Sequence, residues 1–290
     1  MPEFKSNNSL KNFPDNIWKV FIIEAFLFLL TLGLGIIASF QINQILKVEK
    51  LEIPKISFFQ FMLYFLFGTL FIFLFVRFFK YGKSKTVIFK TLFVLTIFWG
   101  GILLLSIWIG DVFALILITL LLFWWWKWPS IFIQDLCMIL AMAGAGSVLG
   151  LTFTPEVIVI LLIIFSIYDF IAVYKTKHMV EMAKEMIRSR AILGLIVPPD
   201  LASFKQNLKQ VKPGGKFMVL GGGDVVFPLL LCSSLVSSGI LNSLIVALFS
   251  LIGLFAGFLF FISQKQKKAI PALPPIALFS IIGYFITKIL

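Results

Sequence analysis

The sequence predicts an all-α membrane protein of nine transmembrane helices, with its N-terminus cytoplasmic and its C-terminus outside. Three observations lead there: a surplus of apolar residues, nine apolar runs near spanning length, and basic residues gathered on one side. Of 290 residues, 60% are hydrophobic and 13% are charged. A globular chain sits near 45–50% apolar and about 25% charged, so the surplus calls for a lipid-facing surface. The formal net charge is +12. In a soluble chain that value would suggest nucleic acid. Here Lys and Arg lie between apolar runs and match no groove-reading motif, so no nucleic-acid partner is expected.

Met1 to Lys19 is polar and too long for the basic head of a signal peptide. The apolar run after it has no small-residue cleavage site, so it reads as a first permanent span. A bilayer core of about 30 Å needs about 20 helical residues. The nine segments lie near 18–40, 56–76, 88–109, 112–126, 129–151, 155–174, 217–240, 242–262 and 269–287. The fourth is short, but Trp124, Trp125, Trp126 and Trp128 around Lys127 form an interfacial belt that fixes its end at the headgroups. With the N-terminus inside, 21 of the 25 basic residues fall on the cytoplasmic side. Only Lys47, Lys50, Lys55 and Lys288 fall outside, the asymmetry that the positive-inside rule expects.

Residues 1–151 form an N-terminal five-helix part and residues 155–290 a second part with helices six to nine, within one membrane domain. The long cytoplasmic loop, 175–216, opens with a helical extension of the sixth span. It then carries an apolar stretch, Ile192–Val197, stopped by Pro198 and Pro199. The polar tail to about Asn12 has little to bury and is expected to be disordered. Cys137 and Cys232 sit in apolar runs as buried free thiols. His178 lies solvated in the basic loop. No zinc spacing, disulfide framework or Cys–His pairing is present.

A charged side chain at the centre of a spanning helix costs roughly 2.5–3.5 kcal/mol on insertion scales. Four acids nevertheless fall inside the spans: Glu24, Asp135, Asp169 and Asp224. Glu24 lies about one turn into the first span, where snorkelling or a pair with Lys19 would accommodate it. Asp135 has no partner motif and reads as a buried hydrogen bond. Asp169 and Asp224 form a geometric pair. Asp169 comes five residues before the sixth span's exit at Tyr174, and Asp224 seven residues after the seventh enters at Phe217. At 1.5 Å per residue both sit roughly 8–11 Å from the same surface, on consecutive antiparallel helices. Two carboxyls that close do not both ionise easily, so they share a proton. One then takes a proton from water while the other donates to a carbonyl oxygen or leaving amine.

Gly221, Gly222 and Gly223 precede Asp224. Glycines weaken a helix by about 1 kcal/mol each, yet they leave backbone uncovered for another chain to approach. A close helix–helix contact of the small-residue kind is the alternative. At the same depth, the ninth span begins with Pro271-Ala272-Leu273-Pro274-Pro275. Prolines free the carbonyls four residues back, and irregular backbone at membrane depth needs a covering of protein or water. Simple proline initiation of a helix is the alternative.

Tyr168-Asp169, Gly221-Gly222-Gly223-Asp224 and Pro271-Ala272-Leu273-Pro274 resemble the YD, GxGD and PALP motifs of presenilins and their microbial homologues, with signal peptide peptidases as more distant relatives. The resemblance covers about residues 155 to 275; before that only the span count agrees. It implies a presenilin-like fold and an intramembrane aspartyl protease, without metal or cofactor, that cleaves transmembrane proteins or signal peptides after local unwinding. It implies Asp169 and Asp224 as the catalytic pair. Tyr168, the three glycines, Pro271, Ala272, Leu273 and Pro274 would shape the substrate site. Signal peptide peptidases have the opposite orientation, so the charge asymmetry favours the presenilin side and substrates whose N-terminus is outside. Two departures stand out. The 175–216 loop is far shorter than in animal presenilins, and Gly222 stands where presenilins usually carry a larger apolar residue.

Ile192–Val197 is expected to pair as a strand with unwound substrate, or else to rest as an apolar segment on the bilayer. A homo-oligomer in a prokaryotic cell membrane is compatible with the sequence. A proton-coupled transporter would also carry intramembrane acids and broken helices, but no related halves are seen. Prepilin peptidases share a GxGD motif but are not expected to have the proline stretch in a ninth span.

Overall fold

The structure, a computed structural model, describes residues 17–51, 53–78, 82–264 and 269–289. The tail to Asn12 and the basic residues Lys265, Lys267 and Lys268 lie outside the described residues. The chain is mostly helical. Its helices are α1 (Ile17–Glu49), α2 (Phe58–Phe78), α3 (Gly82–Ile109), α4 (Asp111–Lys127), α5 (Ile131–Thr152) and α6 (Pro155–Phe170). After them come α7 (His178–Ser189), α8 (Gly222–Leu235), α9 (Ile240–Ile262) and α10 (Leu273–Ile289). Among the described residues, five helices are long and apolar enough to cross a membrane by length and composition: Ile17–Glu49, Thr86–Ile109, Ile131–Thr152, Pro155–Lys175 and Ile240–Ile262.

Local chemistry sets the boundaries. Gly110, at φ 78°, makes the break between α3 and α4 that a side chain would resist. Ser130 caps α5 by accepting from the Ile133 N–H. Pro155 sits at the first position of α6, where its missing N–H costs no hydrogen bond. α6 ends in a π-turn, Ile171–Lys175, closed by the Thr176 N–H on the Ile171 carbonyl. Such turns recur at functional sites.

One departure from an all-α fold is a two-stranded antiparallel sheet. β1 (Gly194–Val197) pairs with β2 (Met218–Gly221), in register Leu195 with Leu220 and Ile196 with Val219. The seventh apolar segment therefore starts as a strand, and its helix begins only at Gly222. Phe217 to Leu220 are good strand residues, and the glycines after them delay helix formation.

α5 is the central helix, packed against α1, α3, α4, α8 and β1. Small residues let it approach its neighbours. Leu229 of α8 fills the space beside Gly35 of α1 and Gly146 of α5, where a Cβ at Gly35 would come within 2.6 Å of it. Two polar side chains of α5 hold β1. Gln134 accepts from the Trp125 indole N–H and donates to the Ile192 carbonyl, and Asp135 accepts from the Ile196 N–H at 2.8 Å. Gln134 is thereby satisfied, while the second oxygen of Asp135 has no partner.

The contacts sort the loops to two ends. At one end, Ile131 and Leu208 donate to the Gln206 and Pro129 carbonyls, joining the α4–α5 turn to the 175–216 loop. At the other, Lys55 and Ile56 donate to the Leu151 and Thr152 carbonyls. The Tyr284 hydroxyl there donates to Glu156, which also faces Lys288.

Candidate active site

Asp169 is the last residue but one of α6, two residues before the π-turn, and Asp224 is the third residue of α8. One turn further into each helix, the rings of Phe165 and Phe227 meet with centroids 4.6 Å apart. Phe165 is four residues from Asp169 and Phe227 three from Asp224, so each aromatic shares a helix face with its acid. The ring contact sets the acid-bearing faces of α6 and α8 against each other, and Asp224 lies within electrostatic range of Asp169. Asp169 is 6% exposed, and Asp224 is half-buried.

The proline motif completes the cluster. The Leu273 N–H donates to Asp169 Oδ2 at 3.4 Å. Leu273 opens α10, and Pro274 and Pro275 after it carry no N–H. Among the first three positions of α10, Leu273 therefore holds the one backbone donor, and it is aimed at Asp169. Pro271 and Leu273 are buried, while Ala272 and Pro274 are partly exposed. Tyr168 is 51% exposed beside Asp169 and makes no described contact with the pair.

The three glycines differ. Gly221 is the N-cap of α8, and its N–H faces the Asp224 carboxyl, which reaches back from the third position. A Cβ on Gly221 would stand 2.9 Å from Asp224 Oδ2. One on Gly222 would stand 3.1 Å from the Leu193 carbonyl, which Gly222 already bonds. One on Gly223 would meet nothing nearer than 3.7 Å. Gly221→Ala is thus expected to displace the Asp224 carboxyl and lower kcat at least tenfold. Gly223→Ala should keep kcat. Initial rates on a peptide spanning a scissile bond separate the two.

Three features escaped the sequence reading. Pro228, inside α8, removes the N–H that would bond the Asp224 carbonyl four residues back. Counting four residues from Asp224 would have found it. Glu24 is buried at 6% exposure, with Oε2 unpartnered and no ion pair to Lys19 among the described residues. The bundle closes over it, so it does not snorkel, and it lies within electrostatic range of Asp224. Lastly, β1 is not free for another chain. One edge pairs with β2; on the other the Ile196 N–H is held by Asp135, and Gln134 holds the Ile192 carbonyl just before the strand. Cys137 and Cys232 are buried free thiols, His178 is exposed, and no metal-binding cluster occurs among the described residues.

The family model "Signal-peptide peptidase, presenilin aspartyl protease" matches residues 21–290. The chain belongs to this family. No curated protein sequence matches it. Two solved structures of a presenilin family intramembrane aspartate protease share the fold. One, in the C222 crystal form, is 20% identical with a TM-score of 0.59, covering 93% of this chain and 98% of that one. The other, in the P2 form, is 21% identical with a TM-score of 0.59, covering 91% and 96%. Membership in the presenilin and signal-peptide peptidase family, with its apolar helices, makes the chain an integral membrane protein of an aspartyl protease family.

Proposed function

We propose that the protein is an intramembrane endopeptidase whose Asp169 and Asp224 activate water against a peptide bond within a transmembrane helix. The observation that carries this is the meeting of α6 and α8 at Phe165 and Phe227, with both acids one turn beyond. With one proton between them, the ionised carboxyl takes a proton from water as its oxygen bonds to the carbonyl carbon. The protonated partner donates to the carbonyl oxygen. When the C–N bond breaks, the leaving nitrogen takes the proton of the newly protonated carboxyl and the other carboxyl takes one from a hydroxyl of the tetrahedral intermediate, so the pair again holds one proton. The Leu273 N–H holds Asp169 in place for this. α2, α4, α8 and α10 complete nine spans; the grouping of loops at two ends supports termini on opposite sides, and the basic-residue asymmetry supports a cytoplasmic N-terminus.

Substrate backbone binds at the free edge of β2. The Ile196 N–H turns to Asp135, away from β2. By the alternation of an antiparallel ladder, Leu195 and Leu220 form a bonded pair, while the Val219 N–H and carbonyl point to the open edge. Val219 is 38% exposed, and the strand runs straight into Gly221–Asp224. An extended peptide added there passes in front of the acids. Val219→Pro removes a donor from the open edge and none from the ladder. It is expected to reduce cleavage of a transmembrane peptide about tenfold or more with unfolding temperature unchanged. Leu195→Pro breaks the ladder itself and should lower both. Equal loss of stability in the two would show that the edge is not free.

The orientation predicts which substrates are cut. In liposomes, model spans with the N-terminus outside should be cleaved in preference to the same spans reversed. Equal cleavage of both would remove the orientation reading.

A further inference from the structure

A cavity of about 840 Å³ opens beside α1, α5 and the 201–205 turn, away from the paired acids. Its polarity is graded. Ser130, Asp135 and Lys205 line the end next to the start of α5, with the exposed rings of Trp124 and Trp128. Phe26, Leu27, Leu136 and Ile139 line the end deeper along α1 and α5. The aromatic belt marks headgroup depth, so the polar end faces the membrane surface and the apolar end faces the acyl chains.

The polar end holds two opposite requirements. Lys205 is exposed and lies in a loop with nine Lys and Arg against three acids, a setting that attracts anionic headgroups. Asp135 is 2% exposed. One of its oxygens takes the Ile196 N–H, and the other has no partner. A buried acceptor left bare is costly, and an occupant that donates to it would remove the cost. The volume falls in the range of sites for drug-sized ligands, and its apolar walls give water few partners.

We propose that this cavity binds one anionic phospholipid whose head carries both a phosphate, for Lys205, and a hydroxyl donor, for Asp135, with one acyl chain running toward Ile139. A transmembrane peptide fits less well. Its backbone donors are already used within its helix, and it brings no anion for Lys205. Because Asp135 also holds β1, the lipid sits one side chain away from the strand pair that leads to Asp224.

The test is native mass spectrometry of the full-length protein in detergent, titrated with phosphatidylglycerol and with phosphatidylcholine of the same chains. Phosphatidylglycerol should bind first, about tenfold more tightly, a difference of about 1.4 kcal/mol. Leu136→Trp, which fills the cavity, and Lys205→Glu, at its exposed mouth, should each erase that preference. Asp135→Asn, which keeps an acceptor for Ile196, should reduce it severalfold. Equal affinity of the two lipids for the unaltered protein overturns the proposal, and so does a preference that survives Lys205→Glu or Leu136→Trp. Should Leu136→Trp fail to fold, Lys205→Glu decides alone. Binding is read without substrate, so the outcome is independent of the proposed proteolysis.

Discussion

Asp169→Asn and Asp224→Asn, each made alone, should abolish cleavage of a transmembrane substrate while leaving the protein folded. Asparagine has nearly the shape of aspartate, and its carbonyl oxygen still accepts from the Leu273 N–H in the first case. It cannot take a proton from water or pass one to a leaving amine. General acid–base catalysis by one group is worth typically 10²–10⁴-fold. Here the two acids act as a unit, so either loss should be nearly complete. The double variant should be no worse than the worse single, since residues acting as a unit are strongly non-additive. Cleavage assays in detergent, paired with thermal unfolding, check this. Substantial activity in Asp224→Asn would make that acid structural.

A second large effect is expected at a glycine. Gly253 of α9 lies against the start of α10, where a Cβ would come within 2.6 Å of Ile276 Cα and 2.7 Å of the Pro275 carbonyl. Backbone cannot step aside as a flexible side chain can, so Gly253→Val should push the two helices apart. Overpacking of this kind costs about 1–3 kcal/mol. The damage should extend to activity, because Ile276 is three residues from Leu273, whose N–H meets Asp169. Gly33→Val is the control: nothing lies within 4 Å of its Cβ position, and it should change neither stability nor turnover. Full activity in Gly253→Val would mean that α10 does not hold Asp169.

What the sequence made legible followed from local rules. Apolar run length marked where helices stand, and residue counting singled out Asp169 near the end of one helix and Asp224 near the start of another, although the count assumed a helix from Phe217 where the chain is a strand up to Gly221. Four of the illegible features share a cause, which is contact between residues distant in sequence. The pairing of Leu195 with Leu220 spans a loop rich in Gly, Pro and Lys, and neither strand betrays its partner. The early turn from strand to helix at Gly222 depends on that pairing. Glu24 looked close enough to the surface to snorkel, because nothing in the first apolar run says which helices will cover it. The sequence predicts a buried hydrogen bond at Asp135, but its partner, the Ile196 N–H, is set by the packing of β1 beside α5.

The central claim is that the acids on α6 and α8 face each other across a gap that water and a peptide can share. Cross-linking measures it directly. In a background with Cys137→Ala and Cys232→Ala, the pair Asp169→Cys and Asp224→Cys is made together, and a protease site is inserted in the 175–216 loop. Mild oxidation or a short bifunctional thiol reagent should then hold the two fragments together after the loop is cut. Fragments that separate, although each thiol reacts with a small monofunctional reagent, would contradict the account.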